Sequence, residues 1–333
     1  MRPSLFTEFK ESTALARTDA ALTTQLLRHY QTSTLLPARR GLNRSTCVVL
    51  AWNIQQARVV FGQDPALIRG VISAAPCANA LAAWGDRQRH WIVVTEGLMT
   101  ALRDAAEVNA ARLLAAFPAA FASKPGQRLL AATPLQGFDT MLGALLYFGA
   151  MSFVASHELG HHLAGHGAYF SAPDHKGRWE VPQALERQAD AIGVGAALLA
   201  VDKLMRRLFA AADLPPSERK EQQTLIAVVF TAGVLTIAAR LVPDAFDFSA
   251  AHSPNAYRML RIAAALLRPL RALALLDDPA RKWIRLQCLA AVLGQPQRLR
   301  GMQQALQAPA FQAYMTQLDA GFRLFRQKVR APN

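Results

Sequence analysis

Residues 156–166 read SHELGHHLAGH, which places four of the chain's eight histidines and one glutamate within eleven positions. His157, Glu158 and His161 make the pentad HExxH. On a helix, positions i and i+4 lie on one face, so two imidazoles at this spacing can grip one metal ion. Glu158 projects beside that face, where it can take a proton from a metal-bound water and later pass it to a leaving amine. A shuffled chain of this composition would contain about 0.005 such pentads, too few for the motif to be a by-product of histidine content. The competing reading is a helix whose histidines only pack or face solvent.

Two imidazoles leave a catalytic zinc one ligand short, and the nearby candidates are His162, His166, Asp174, His175, Glu186 and Asp190. His162 lies about 100° round a helix from His161, and His166, five residues on, is also off the binding face. The extended pattern HExxHxxGxxH would need glycine at 164 and histidine at 167, whereas the chain has Ala164 and Gly167. Glu186, in ALERQADAIG, sits on an expected second helix with Asp190 four residues later on the same face. Glu186 can complete a His2Glu site with a fourth position open to water. Asp190 can accept the spare N–H of a bound histidine and fix its orientation.

The elements that must position these groups are mostly helical. The chain has 333 residues, is 52% hydrophobic and only 18% charged, and is rich in Ala and Leu, which favour helix. The first forty residues read as mixed helix, PARRGLNR at 37–44 as a turn, and 46–62 as a helix. From Gly70, two apolar stretches flank WGDRQRH, the signature of a β-hairpin whose strands are Asn79 to Ala83, suited to an edge, and Trp91 to Thr95. Helices are expected at 99–116, 138–166 and 183–211, with a loop containing SKPGQ between the first two. Ser217 is expected to cap a further apolar helix.

The apolar runs 140–156 and 224–239 fall just short of the roughly 20 residues that span a bilayer, which favours buried helices over membrane association. Three scattered cysteines suggest neither a disulfide framework nor a thiolate metal site, and the charged N-terminus does not read as a secretory signal, so a cytoplasmic location is expected. The formal charge is +14, of which residues 251–333 carry +10. Arg258, Arg261, Arg268 and Arg271 recur at helical spacing, which reads as solvated helix faces. The alternative is a surface for an acidic partner, and no specific nucleic-acid motif accompanies the charge. The chain divides into an N-terminal helical region at 1–69, a core at 70–275 and a basic helical region at 276–333.

HELGH followed by His166, then ERQAD, resembles the gluzincin zinc metallopeptidases of the HtpX and CAAX-prenyl-protease type. NALA at 79–82 and IVVTEGL at 92–98 are similar to that family's hairpin. HSPNAYR at 252–258 resembles its HPxxxxR element, with Ser253 interrupting the His-Pro pair. The resemblance covers roughly residues 70–262. It implies a mainly α fold with a small β-hairpin or sheet and one zinc ion per chain on His157, His161 and Glu186, with Glu158 as general base. It also implies an edge strand at Asn79, Ala80, Leu81 and Ala82 that pairs with a protein or peptide substrate, and a role for His252 near the reacting carbonyl. The short interval from His161 to Glu186 and the lack of clear flanking spans imply a soluble subgroup. The phage-exclusion Lit peptidases are a second, fold-level analogy. The activity so implied is endopeptidase. The rival readings are a metal-stabilised, catalytically silent module that binds through the basic C-terminal helices, and a membrane-associated quality-control peptidase.

Overall fold

The computed structural model describes residues 5–37, 41–61, 67–166, 180–209, 216–241, 261–294 and scattered positions between 304 and 323. Its elements in chain order are α1 (Leu5–Ala16), α2 (Ala20–Tyr30), α3 (Gly41–Phe61), β1 (Ile68–Ser73), β2 (Ala80–Trp84), β3 (His90–Thr95), α4 (Glu96–Ala116), α5 (Pro118–Ala122) and α6 (Lys124–Ala131). There follow α7 (Met141–Leu163), α8 (Glu180–Phe209), α9 (Pro216–Leu241), α10 (Leu267–Leu270) and α11 (Asp278–Leu293). The chain is mainly helical with one small sheet, as its composition leads one to expect.

The expected hairpin forms, with Ala82 opposite Ile92 and Trp84 opposite His90. A third strand, β1, pairs parallel to β3 on the other side and is not expected from the sequence. A parallel partner needs no turn signal next to it, so only the tertiary contact reveals it. The outer edge of β1 is covered by the linker after α2, where Leu36 N–H donates to the Ile72 carbonyl and Ala74 N–H to the Thr34 carbonyl. Among the described residues, no strand pairs with the outer edge of β2.

Side chains alternate across β3 and divide the core in two, as the two-residue period of a strand requires. Ile92 and Val94 join the large cluster built by α3, α4, α7 and α9, while Trp91 and Val93 pack with Leu22, Leu26 and Tyr30 of α2. Asp19 locks α2 to the hairpin. Its carboxylate caps the helix at Leu22 N–H, 3.0 Å, and also accepts from the Asp86 amide and from the Trp91 indole at 3.0 Å. Gly85 is required beside it, because a Cβ there would lie 2.3 Å from the same carboxylate.

α7 is buried on all sides from Met141 to His157, which is why its apolar run shows no amphipathic stripe. It is long and apolar enough to cross a membrane by length and composition, yet 94% of that apolar window is buried inside the fold. The run at 224–239 lies in α9 and is likewise buried as far as it is described. Several local expectations change. α3 begins at Gly41, so half of the expected turn is helix. SKPGQ is helical, with Ser123 capping α6 and proline in the first turn, a position where its missing N–H costs nothing. α9 starts at Pro216, so Ser217 lies inside its first turn and is not its cap. Arg261 is 4% exposed and does not belong to a solvated face.

Candidate metal centre

Two glycines let the site helices approach. Gly160 of α7 faces the Ala189 backbone, where a Cβ would stand 3.1 Å from Ala189 Cα. Gly193 of α8 faces α7, where a Cβ would stand 3.0 Å from the Phe153 carbonyl and 3.2 Å from His157 N. With no side chain at either crossing, α8 lies against the last turns of α7. Glu186, two turns before Gly193, is thereby carried to the pentad.

His157, His161 and Glu186 converge there as a set able to hold a metal ion. The His157 and His161 Nε2 atoms are 3.1 Å apart, and the Glu186 oxygens lie 3.4 Å from His157 Nε2 and 3.3 Å from His161 Nε2. A tetrahedral ion with bonds of about 2.0–2.1 Å separates its ligand atoms by roughly 3.3–3.4 Å. One Glu186 oxygen lies nearer each histidine, donor atoms from the three residues lie within 4.8 Å of one another, and the donor set, two imidazoles and a carboxylate, suits zinc chemistry. Both histidines are buried, and the Glu186 side chain is 28% exposed.

Each imidazole is held with its lone pair inward. His157 Nδ1–H donates to Asp190 Oδ1 at 3.0 Å, and the second Asp190 oxygen accepts from Arg261 at 3.3 Å. Both members of that ion pair are only 3% exposed. His161 is fixed by a longer relay, since its Nδ1 lies 2.9 Å from His166 Nδ1, and His166 Nε2 lies 3.1 Å from the Gln188 side-chain oxygen Oε1. Burial pushes His166 down to about 4, so its ring is neutral. A neutral His166 that donates to Gln188 from Nε2 must accept at Nδ1. His161 then carries its proton on Nδ1 and presents a bare Nε2 to the centre. This is the outer-sphere arrangement that orients metal-binding histidines.

His162 and His90 take no part in the triangle. Burial, with His90 alongside, pushes His162 down to about 3. Its Nε2–H donates to the Trp91 carbonyl at 3.1 Å and its Nδ1 meets His90 Nδ1 at 2.9 Å, tying the end of α7 to the sheet. Burial also lowers His90.

His157, Glu158, His161 and Glu186 line a cleft of about 680 Å³ that Asn79, Ala80, Leu81 and Ala82 also line. Thr95 N–H donates to the Asn79 carbonyl and Gly85 N–H to the Arg89 carbonyl, so odd-numbered residues of the β2 strand turn their backbone groups towards β3. Asn79 and Leu81 are thus occupied, and Ala80 and Ala82 face the open edge. The Asn79 side chain takes the Ala80 amide at 2.8 Å. Among the described residues, the Ala82 N–H and carbonyl and the Ala80 carbonyl have no protein partner.

The residues expected as metal donors and Asp190 therefore come together, with Glu158 beside them on the cleft wall. His252 and HSPNAYR, like Asp174 and His175, lie outside the described residues. Sequence reasoning misses His166, Gln188 and Arg261 as supports. Five residues carry His166 off the metal face, and that same offset places its ring behind His161. No protein-family model, curated protein or solved structure matches this chain.

Proposed function

We propose that the chain is a zinc-dependent endopeptidase of the gluzincin type, holding one zinc ion on His157, His161 and Glu186. The observation that carries this reading is the convergence of the three donors beside Glu158, in a cleft that the edge strand β2 also lines. When bound, zinc supplies Lewis acidity, bringing the pKa of a coordinated water toward about 7 and polarising a carbonyl oxygen.

The chain's own residues do the rest. Glu158 accepts a proton from the attacking water and returns it to the leaving amine, so no acyl-enzyme is needed. Asp190 and the relay from His166 to Gln188 hold the two imidazoles in the tautomers that leave their Nε2 lone pairs free. The substrate backbone adds a strand to β2, exchanging hydrogen bonds with Ala82 and donating to the Ala80 carbonyl. Asn79 ends this ladder by occupying the Ala80 amide.

Labelling of protein N-termini in cells that express either the native chain or Glu158→Gln tests the reading. New termini confined to the native chain are expected. Identical sets of termini would remove the peptidase reading.

A further inference from the structure

The cleft is lined by unlike groups: Leu98, Phe153, Val154 and Ile237 are apolar, whereas Gln25, Arg28 and His29 of α2 line it together, as residues at i, i+3 and i+4 of a helix do.

Gln25 closes the strand edge. Trp84 is the next outward-facing residue of β2 after Ala82. Its N–H donates to Gln25 Oε1 at 3.3 Å, and its carbonyl accepts from Gln25 Nε2. The Gln25 carboxamide thus makes the pair of hydrogen bonds that a peptide unit of an added strand would make. An incoming segment can pair with Ala82, but at Trp84, about 7 Å further along the edge, the position is taken.

The segment must therefore leave the edge at Gln25 of α2, the helix whose Arg28 and His29 line the same cleft. Both are exposed, and among the described residues neither has a carboxylate partner. The carboxylates that line the cleft are Glu158 and Glu186, and both are committed to the centre.

We infer that the cleft selects an extended peptide whose pairing stops at Ala82 and which sets a carboxylate against Arg28 and His29. The inference rests on the peptidase reading for its setting and adds the substrate class. Arg28 supplies a fork of N–H donors that matches a carboxylate, and His29 adds a further donor. The formal charge of +14 favours the approach of acidic segments from a distance. The carboxylate can be an Asp or Glu side chain or a chain terminus, and the test separates the two.

The zinc-loaded full-length protein is incubated with a proteome-derived peptide library, in parallel with the same library amidated at its C-termini, and cut sites are read by mass spectrometry. In the native protein, Asp and Glu should be enriched roughly five- to tenfold at one fixed position relative to the cut, the factor expected of a partly desolvated ion pair. Amidation should leave that enrichment intact if a side chain is read; if a terminus is read, cuts should instead lie at a fixed distance from the free C-terminus, and amidation should abolish them. Arg28→Gln with His29→Gln should erase the preference, and Arg28→Glu should turn it toward Lys and Arg.

Immobilised Glu158→Gln protein, with and without Arg28→Glu, captures peptides from the same library without cutting. Acid-rich capture that needs Arg28, when the native zinc-loaded protein cleaves nothing, would retain this assignment and remove the hydrolase. Cleavage with no acidic preference, or a preference that survives Arg28→Glu, would overturn the assignment and leave the hydrolase standing. Neither cleavage nor acid-rich capture would overturn both.

Discussion

His166 Nδ1 lies 2.9 Å from His161 Nδ1, so the histidine five residues beyond the pentad sets the protonation of the one that closes it. His166 itself is fully buried and tied through Nε2 to Gln188. Replacing it with phenylalanine keeps the bulk and removes the acceptor. Zinc affinity in His166→Phe should fall about 10–100-fold by chelator competition, the usual effect of losing such an outer partner. An unchanged affinity would show that the relay does not orient His161.

Asp190 holds His157 on one oxygen and Arg261 on the other, all three buried. Asp190→Ala leaves the Arg261 guanidinium in the core without that carboxylate. The metal-free variant should lose about 3–5 kcal/mol in urea unfolding. Adding Arg261→Leu should restore part of the loss, because the buried guanidinium that has lost this carboxylate is then gone. If the double variant is less stable than the single, the ion-pair account of this layer is wrong.

Gly193 sets the distance between α7 and α8. A valine there drives its side chain into the Phe153 carbonyl and the His157 backbone, which lie only 3.0 Å and 3.2 Å from the place its Cβ would take. Gly193→Val should destabilise the fold by about 1–3 kcal/mol and reduce bound zinc below one per chain, since Glu186 moves with α8. Calorimetry with metal analysis on the same sample checks both. Full zinc occupancy at native stability would contradict close helix approach as the cause of the site.

Asp19 gives the fold a defined response to acid. Burial by itself would raise its carboxyl, but donation from the Leu22 and Asp86 amides and the Trp91 indole, with Arg89 nearby, holds it below the ordinary 3.8. A carboxyl depressed in the folded state contributes stability that is fully present above its unfolded value and lost as pH falls through the folded one. Asp19→Asn should therefore cost about 1.5–3 kcal/mol at neutral pH. The gap between native and variant should narrow below about pH 4. Urea unfolding at pH 7 and pH 3 measures it, and a gap equal at both would discount the charge.

Much of the centre is legible in the sequence because its information is local. His157 and His161 are one turn apart, Glu186 and Asp190 are one turn apart, and helical periodicity alone puts each pair on one face. The hairpin is legible for the same reason, through the polar turn between its strands. What escapes depends on contacts between distant segments. β1 has no turn to announce it, and Arg261 reads as one of a row of solvated arginines because its partner, Asp190, is 71 residues away in sequence. Gln25, Arg28 and His29 belong to a helix with no motif of its own. Its packing against β3, the Gln25 bonds to Trp84 and the grip of Asp19 on the hairpin bring that helix to the cleft.

The donor triangle itself is tested most directly by zinc K-edge absorption on protein of measured metal content. One zinc per chain is expected, bound by two imidazole nitrogens and carboxylate or water oxygens at about 2.0–2.2 Å, with occupancy lost in Glu186→Ala. Substoichiometric metal in the native protein, sulfur in the coordination shell, or a spectrum unchanged by Glu186→Ala would contradict it.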